Sequence, residues 1–223
     1  MRKQIFVGLI AEGATDNRFL YSIVNRTFED VALNECTSDI DIYVFILKVS
    51  KKELSFPEFV VKSSHFGVAN YGIMVLAVHT DADRETYEER FADKILPACQ
   101  LLNKHSDDEY CKILLPIIPV RMIEAWMLAD TELLKEEVGT DKSDHDLGID
   151  KNPESIADPK ACICEMIRIA TEDLPRRRNR LTISDLYEII GDKISLDSLK
   201  TLDSYRRFVA EVKKVYASLN YIR

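Results

Sequence analysis

Two rhythms of apolar residues alternate along the first 130 positions, and that alternation predicts the fold. Lys3–Ile10 is a short apolar run that stops at Ala11-Glu12-Gly13, which predicts a strand and then a turn. Thr15 is the expected N-cap of a helix running to about Phe28, with Phe19, Leu20, Ile23 and Val24 at helical spacing. Ile40–Val49 is rich in Ile, Val, Tyr and Phe and predicts a second strand. Pro57 opens a further helix whose Phe59, Val60 and Phe66 face a core. Ile73–Val78 is apolar throughout, which suits a strand buried on both faces. It ends at His79-Thr80-Asp81-Ala82-Asp83, and a helix is expected over Glu88–Leu102. Cys111–Val120 is the next strand-like run, where Pro116 and Pro119 point to an edge position or an early end. Met122–Leu128 reads as helix.

Strands alternating with helices predict an α/β fold: a mainly parallel sheet flanked by helices. Sites in such sheets lie at the carboxyl ends of the strands. The pattern changes beyond Asp130. Gly139–Asp158 is polar and loop-like, and short helices are expected over Pro159–Ala170, Ser184–Ile190, Ser195–Leu199 and Ser204–Leu219. The chain therefore divides into an α/β domain over 1–130 and a helical C-terminal subdomain over 131–223.

Composition adds exclusions. Apolar residues make up 46% of the 223 and charged residues 30%, a globular balance rather than a disordered one. No apolar run approaches the roughly 18 residues of a membrane span. The N-terminus lacks the cleavage site of a signal peptide. Five irregularly spaced cysteines argue against a disulfide framework and for a reducing, cytoplasmic setting. Cys162 and Cys164 form a C-x-C without the second pair that a zinc site needs, so they read as buried structural cysteines. The net charge of −8 is uneven: residues 174–223 carry eleven Lys and Arg against six Asp and Glu. An acidic body with a basic tail suits a metal-dependent enzyme with an anionic substrate, and equally a tail that packs on the body.

The candidate chemistry is acidic. In extended backbone Asp81 and Asp83 point the same way, so both carboxylates are expected to face one site, where Mg²⁺ or Mn²⁺ would find oxygen ligands. The alternative is a turn with two solvated aspartates. Glu12 sits beside Gly13 at the end of the first strand, and Asp16 falls in the first turn of the helix, where it also complements the helix dipole. Glu124 lies off the stripe of Met122, Ile123, Trp126 and Met127, which leaves it either a site residue or a solvent-facing glutamate. Arg121 either offers a forked cation to a phosphate or only caps a surface. Arg176, Arg177, Arg178 and Arg180 suit phosphate contacts or a solvated loop. His79, beside the D-x-D, is a candidate supporting group with a structural role as its alternative. No phosphate-cradling glycine loop, dinucleotide turn or G-x-S-x-G elbow is present.

Taken in order, strand–E-G-x-T-D–helix, strand–D-x-D and I-E-A-W over residues 3–130 resemble the Toprim catalytic fold. The pattern is most similar to a bacterial family of Toprim-like proteins of unknown function. It is more distantly similar to nucleases of the overcoming-lysogenization-defect family. Ile156-Ala157-Asp158-Pro159-Lys160 and Ser204-Tyr205-Arg206-Arg207-Phe208 also resemble the unknown-function family. The resemblance implies Mg²⁺ held by Glu12, Asp81 and Asp83, with Asp16 as a further ligand and Glu124 assisting. Asp16 is shorter than the glutamate usual there. It implies cleavage of DNA or RNA, in phage defence or DNA repair, with a separate ATPase, since this chain has no Walker loop. A catalytically silent module that binds nucleic acid or a partner is the alternative. A nucleotide-sugar transferase ranks lower because it gives Glu12 no role. A haloacid-dehalogenase-like phosphatase ranks lower still, since its D-x-D follows the first strand.

Overall fold

The computed structural model describes residues 3–84, 86–172 and 181–222. Four strands, β1 (Lys3–Ile10), β2 (Ile40–Ile46), β3 (Val75–His79) and β4 (Leu114–Ile117), form one wholly parallel sheet in the order β2-β1-β3-β4. Parallel neighbours need crossovers. Here they contain α1 (Ala14–Glu35), α2 (Phe56–Tyr71), α3 (Tyr87–Arg90) and α4 (Leu96–Leu102). β3 is central and buried at every position, as its unbroken apolar run requires. β4 is an edge strand, which is where a proline in a strand is tolerated.

The strands are shorter than their apolar runs, with β2 ending at Ile46 and β4 confined to Leu114–Ile117, and three departures in the helices have a local reason. The N-cap of α1 is Gly13, not Thr15, because the Asp16 carboxylate reaches back to accept the Gly13 N–H at 2.7 Å. The same helix continues past Phe28 to Glu35, with Val31 extending the buried stripe. Between α3 and α4 the backbone opens into a π turn over Phe91–Ile95. Pro97 has no N–H to offer, and the wider turn carries the helix through that gap.

Beyond β4 come α5 (Glu124–Met127), α6 (Thr131–Val138), α7 (Asp144–Leu147), α8 (Pro159–Thr171), α9 (Ile183–Lys193), α10 (Leu196–Leu199) and α11 (Asp203–Ser218). The stretch read as loop, 139–158, thus carries the one-turn helix α7, capped by Ser143, and a 3-10 turn over Pro153–Ser155, capped by Asn152. The helices after residue 131 share their core with the sheet: Ile5, Val7 and Leu9 of β1 belong to one buried cluster with Trp126, Tyr187, Tyr205 and Tyr216. The opposite sheet face is a second cluster around Leu76, Val78, Phe59 and Val60.

Trp126 is fully buried, stands edge-on to Tyr205 at 5.2 Å between centroids and donates its indole N–H to Ser204 Oγ at 2.8 Å. Both its apolar bulk and its one polar atom are thereby accounted for. Helices α1 and α9 meet at Gly191, where an added Cβ would stand 2.6 Å from the Phe19 carbonyl oxygen. Only glycine permits that approach. Arg26 of α1 then donates to the closing carbonyls of α9, reaching Gly191 and Asp192 at 3.1 Å and Ile194 at 2.6 Å. Among the described residues, no helix is long and apolar enough to cross a membrane.

Candidate functional site

Ile10 at the end of β1 pairs in register with Val78 of β3, so the segments that follow the two strands emerge side by side. Thr80 donates its hydroxyl to Glu12 Oε1 at 2.7 Å, which joins the first acidic block to the second. Asp81 Oδ1 accepts the Ile123 N–H at 3.2 Å and stands 3.1 Å from His79 Nε2. The other ring nitrogen, Nδ1, faces Asp16 Oδ2 at 3.7 Å and has no hydrogen-bond partner among the described residues. Asp16 is itself fixed by the Gly13 N–H and, at 3.2 Å, by the Thr15 hydroxyl. A buried imidazole therefore stands between two carboxylates, one from the first turn of α1 and one from the segment after β3.

His79 has a side-chain exposure of 0%. Burial works against a charged ring, but the hydrogen bond to Asp81 and the charges of Asp81, Asp16 and Glu12 outweigh it, so its pKa is raised. The ring thus partly offsets the repulsion among the carboxylates around it.

Glu124 opens α5 and is 4% exposed, so the solvent-facing alternative does not hold. Burial raises its pKa and the charge of Asp81 adds to the effect. A hydrogen bond from the Tyr187 hydroxyl and the Lys160 ammonium, 4.0 Å away, act in the opposite sense. Tyr187 in turn is pushed well above the usual phenol range, by burial first and then by Glu124. Helices α8 and α9 therefore supply two groups, Lys160 and Tyr187, to a carboxylate beside the sheet. Tyr187 sits on the buried stripe of α9 with Leu186 and Ile190, so in the sequence it looks like any core aromatic.

Asp83 does not join this cluster. Its backbone is left-handed, with φ 54°, and its N–H donates to the Arg121 carbonyl at 2.7 Å. The i, i+2 rule needs extended backbone, and the turn breaks it. The carboxylate instead pairs with the Arg90 guanidinium at 2.7 Å. Arg121 is left-handed too, with φ 53°, and its Nε is buried without a hydrogen bond among the described residues.

No family model, curated protein or solved structure matches the chain. The site must therefore be read from its own chemistry. Glu12 Oε2 and Asp81 Oδ2 accept no hydrogen bond among the described residues, which leaves their lone pairs open. Among the same residues, no group of three or more His, Cys, Asp or Glu already stands in ligating positions. Arg176, Arg177, Arg178 and Arg180 lie outside the described residues. The five cysteines are free thiols; Cys164 is exposed and Cys162 half-buried, so the pair is not buried as expected, whereas burial pushes the Cys111 thiol up to about 12.

Proposed function

We propose that the chain is a divalent-metal-dependent phosphodiester hydrolase, a nuclease acting on DNA or RNA. The observation that carries the reading is the Asp16–His79–Asp81 line with Glu12 tied to it through Thr80, at the carboxyl ends of neighbouring parallel strands. The order of the acidic blocks, which resembles Toprim domains, supports it independently.

The donor set fits a hard cation. Its open atoms are carboxylate oxygens, the ligands that Mg²⁺ and Mn²⁺ prefer. Glu12 and Asp81 would hold the ion, with Asp16 beside them and Asp83 joining only by leaving Arg90. Bound there, the ion would act as a Lewis acid on a phosphoryl oxygen and lower the pKa of water. The protein's own groups do the rest. Thr80 and the Ile123 N–H fix the headings of Glu12 and Asp81. His79 screens Asp81 from Asp16. Glu124, whose proton affinity burial has raised, is placed to take a proton, and Tyr187 holds it in that place. Lys160, 57% exposed, offers positive charge beside Glu124 for a phosphate arriving from solvent. A separate ATPase belongs to the same reading, since the chain has no nucleotide-binding loop of its own.

A second reading, a binding module without catalysis, is favoured by one observation: Asp83 is engaged by Arg90 and not by the cluster. The two readings part on one assay. Incubated with single- and double-stranded DNA and RNA, the protein is expected to cleave at least one in Mg²⁺ or Mn²⁺ and none in EDTA, and Asp81→Asn is expected to lose that activity. No cleavage by the wild type, or undiminished cleavage by the variant, contradicts the hydrolase reading.

A further inference from the structure

Two clefts flank the acidic cluster, and their charge tells them apart. One, about 400 Å³, lies over the carboxyl ends of β1 and β2 with Glu12 on its wall. Its other charged residues are Arg18, Lys48 and Lys51, three cations against one acid. The other, about 570 Å³, lies past β3 and β4 with Asp83 on its wall. There Arg84, Arg121 and Arg207 face Asp83 and three further acids, Glu88, Glu154 and Asp203. In a chain of net charge −8, the first cleft is a local reversal of sign and the second is not.

Arg18 already donates to Ser184 Oγ at 3.0 Å, which leaves the two lysines of the first cleft to act. Lys48 has no hydrogen bond or ion pair among the described residues. Lys51 donates to the Glu12 carbonyl at 2.8 Å, which uses one of its three N–H groups, and its ammonium stands 5.0 Å from the centre of the Phe59 ring. Ile46, Leu47 and Val49 complete an apolar wall. An ionic contact made against such a wall is screened less than one in open water.

We infer that this cleft is a phosphate-binding subsite for the nucleotide next to the scissile bond, so that a nucleic-acid strand crosses the sheet edge over β1 and β2 and not over β3 and β4. The proposal rests on the hydrolase reading for the position of the scissile bond. Lys48 and Lys51 contact the flanking phosphate, and Lys51, held on the Glu12 carbonyl, sets its distance from the acidic cluster.

The test measures binding apart from cleavage. Affinity for a phosphorothioate single-stranded DNA, and for its RNA counterpart, is followed by fluorescence anisotropy across a salt series in Mg²⁺. Lys48→Met with Lys51→Met is expected to weaken binding and to make the slope of log affinity against log salt shallower by about 0.7, one phosphate contact on a single strand. Lys104→Met with Lys214→Met, which removes the same charge outside the cleft, is expected to leave the slope unchanged. Arg84→Met with Arg207→Met, in the acid-balanced cleft, is likewise expected to leave it unchanged. An unaltered slope in the Lys48/Lys51 variant, a change confined to the Arg84/Arg207 variant, or binding of neither strand overturns the subsite. Failure of the hydrolase reading shows separately: the wild type then cleaves nothing, while the lysine-dependent slope remains.

Discussion

Asp81 and Asp83 are two residues apart, yet they belong to different neighbourhoods. Asp81 is held from two sides, by His79 and by the Ile123 N–H, on the side of the sheet edge that Glu12 and Asp16 share. Asp83 is 64% exposed on a left-handed turn, with Arg90 as its ion-pair partner. The difference teaches that a D-x-D is a statement about backbone as much as about residue type. Where the chain stays extended the two carboxylates converge, and where it turns left-handed between strand and helix they divide. A ligand set carried over from a resemblance must therefore be checked against φ before it is checked against distance.

The largest effect that would break the comparison is on cleavage. Asp81→Asn is expected to reduce metal-dependent cleavage by more than about 100-fold, beyond what loss of a supporting contact costs, whereas Asp83→Asn stays within about tenfold. Equal losses in steady-state assays would place Asp83 back among the ligands. Next is the packing that holds the C-terminal helices on this side of the sheet. Gly191→Ala pushes a methyl into the Phe19 backbone and is expected to cost about 1–3 kcal/mol in chemical denaturation. A stability equal to wild type would mean that α1 and α9 do not approach as described.

A smaller effect sharpens the role of Glu124. Its pKa is raised in the fold, so the native state favours its protonated form, and that contribution to stability is lost as pH rises from the usual glutamate range through the raised value. Glu124→Gln carries no such charge. Its Tm is expected to gain on the wild type between pH 5 and pH 8, and a variant Tm that falls relative to the wild type over that range would contradict the burial described.

Much of the fold was legible because the apolar pattern is strong where the sheet is buried. β1 and β3 were readable as runs bounded by turn residues, and Pro116 announced the edge position of β4. The π turn before Pro97 was not, since a helical stripe keeps its period through it. Of the candidate site, the pairing of Glu12 with the segment after β3 followed from strand ends alone. The heading of Asp83 did not, because nothing in Asp81-Ala82-Asp83 requires φ > 0 at a non-glycine position. Nor were Tyr187 and Lys160 legible. They reach Glu124 across a tertiary interface that no local spacing encodes.

The division between the two aspartates is tested most directly by anomalous diffraction from crystals soaked in Mn²⁺. A manganese peak within bonding distance of Glu12 and Asp81 oxygens, with Asp83 still on Arg90, is the predicted result. A peak coordinated by Asp83 on the Arg90 side, or none near Glu12 and Asp81, would contradict it.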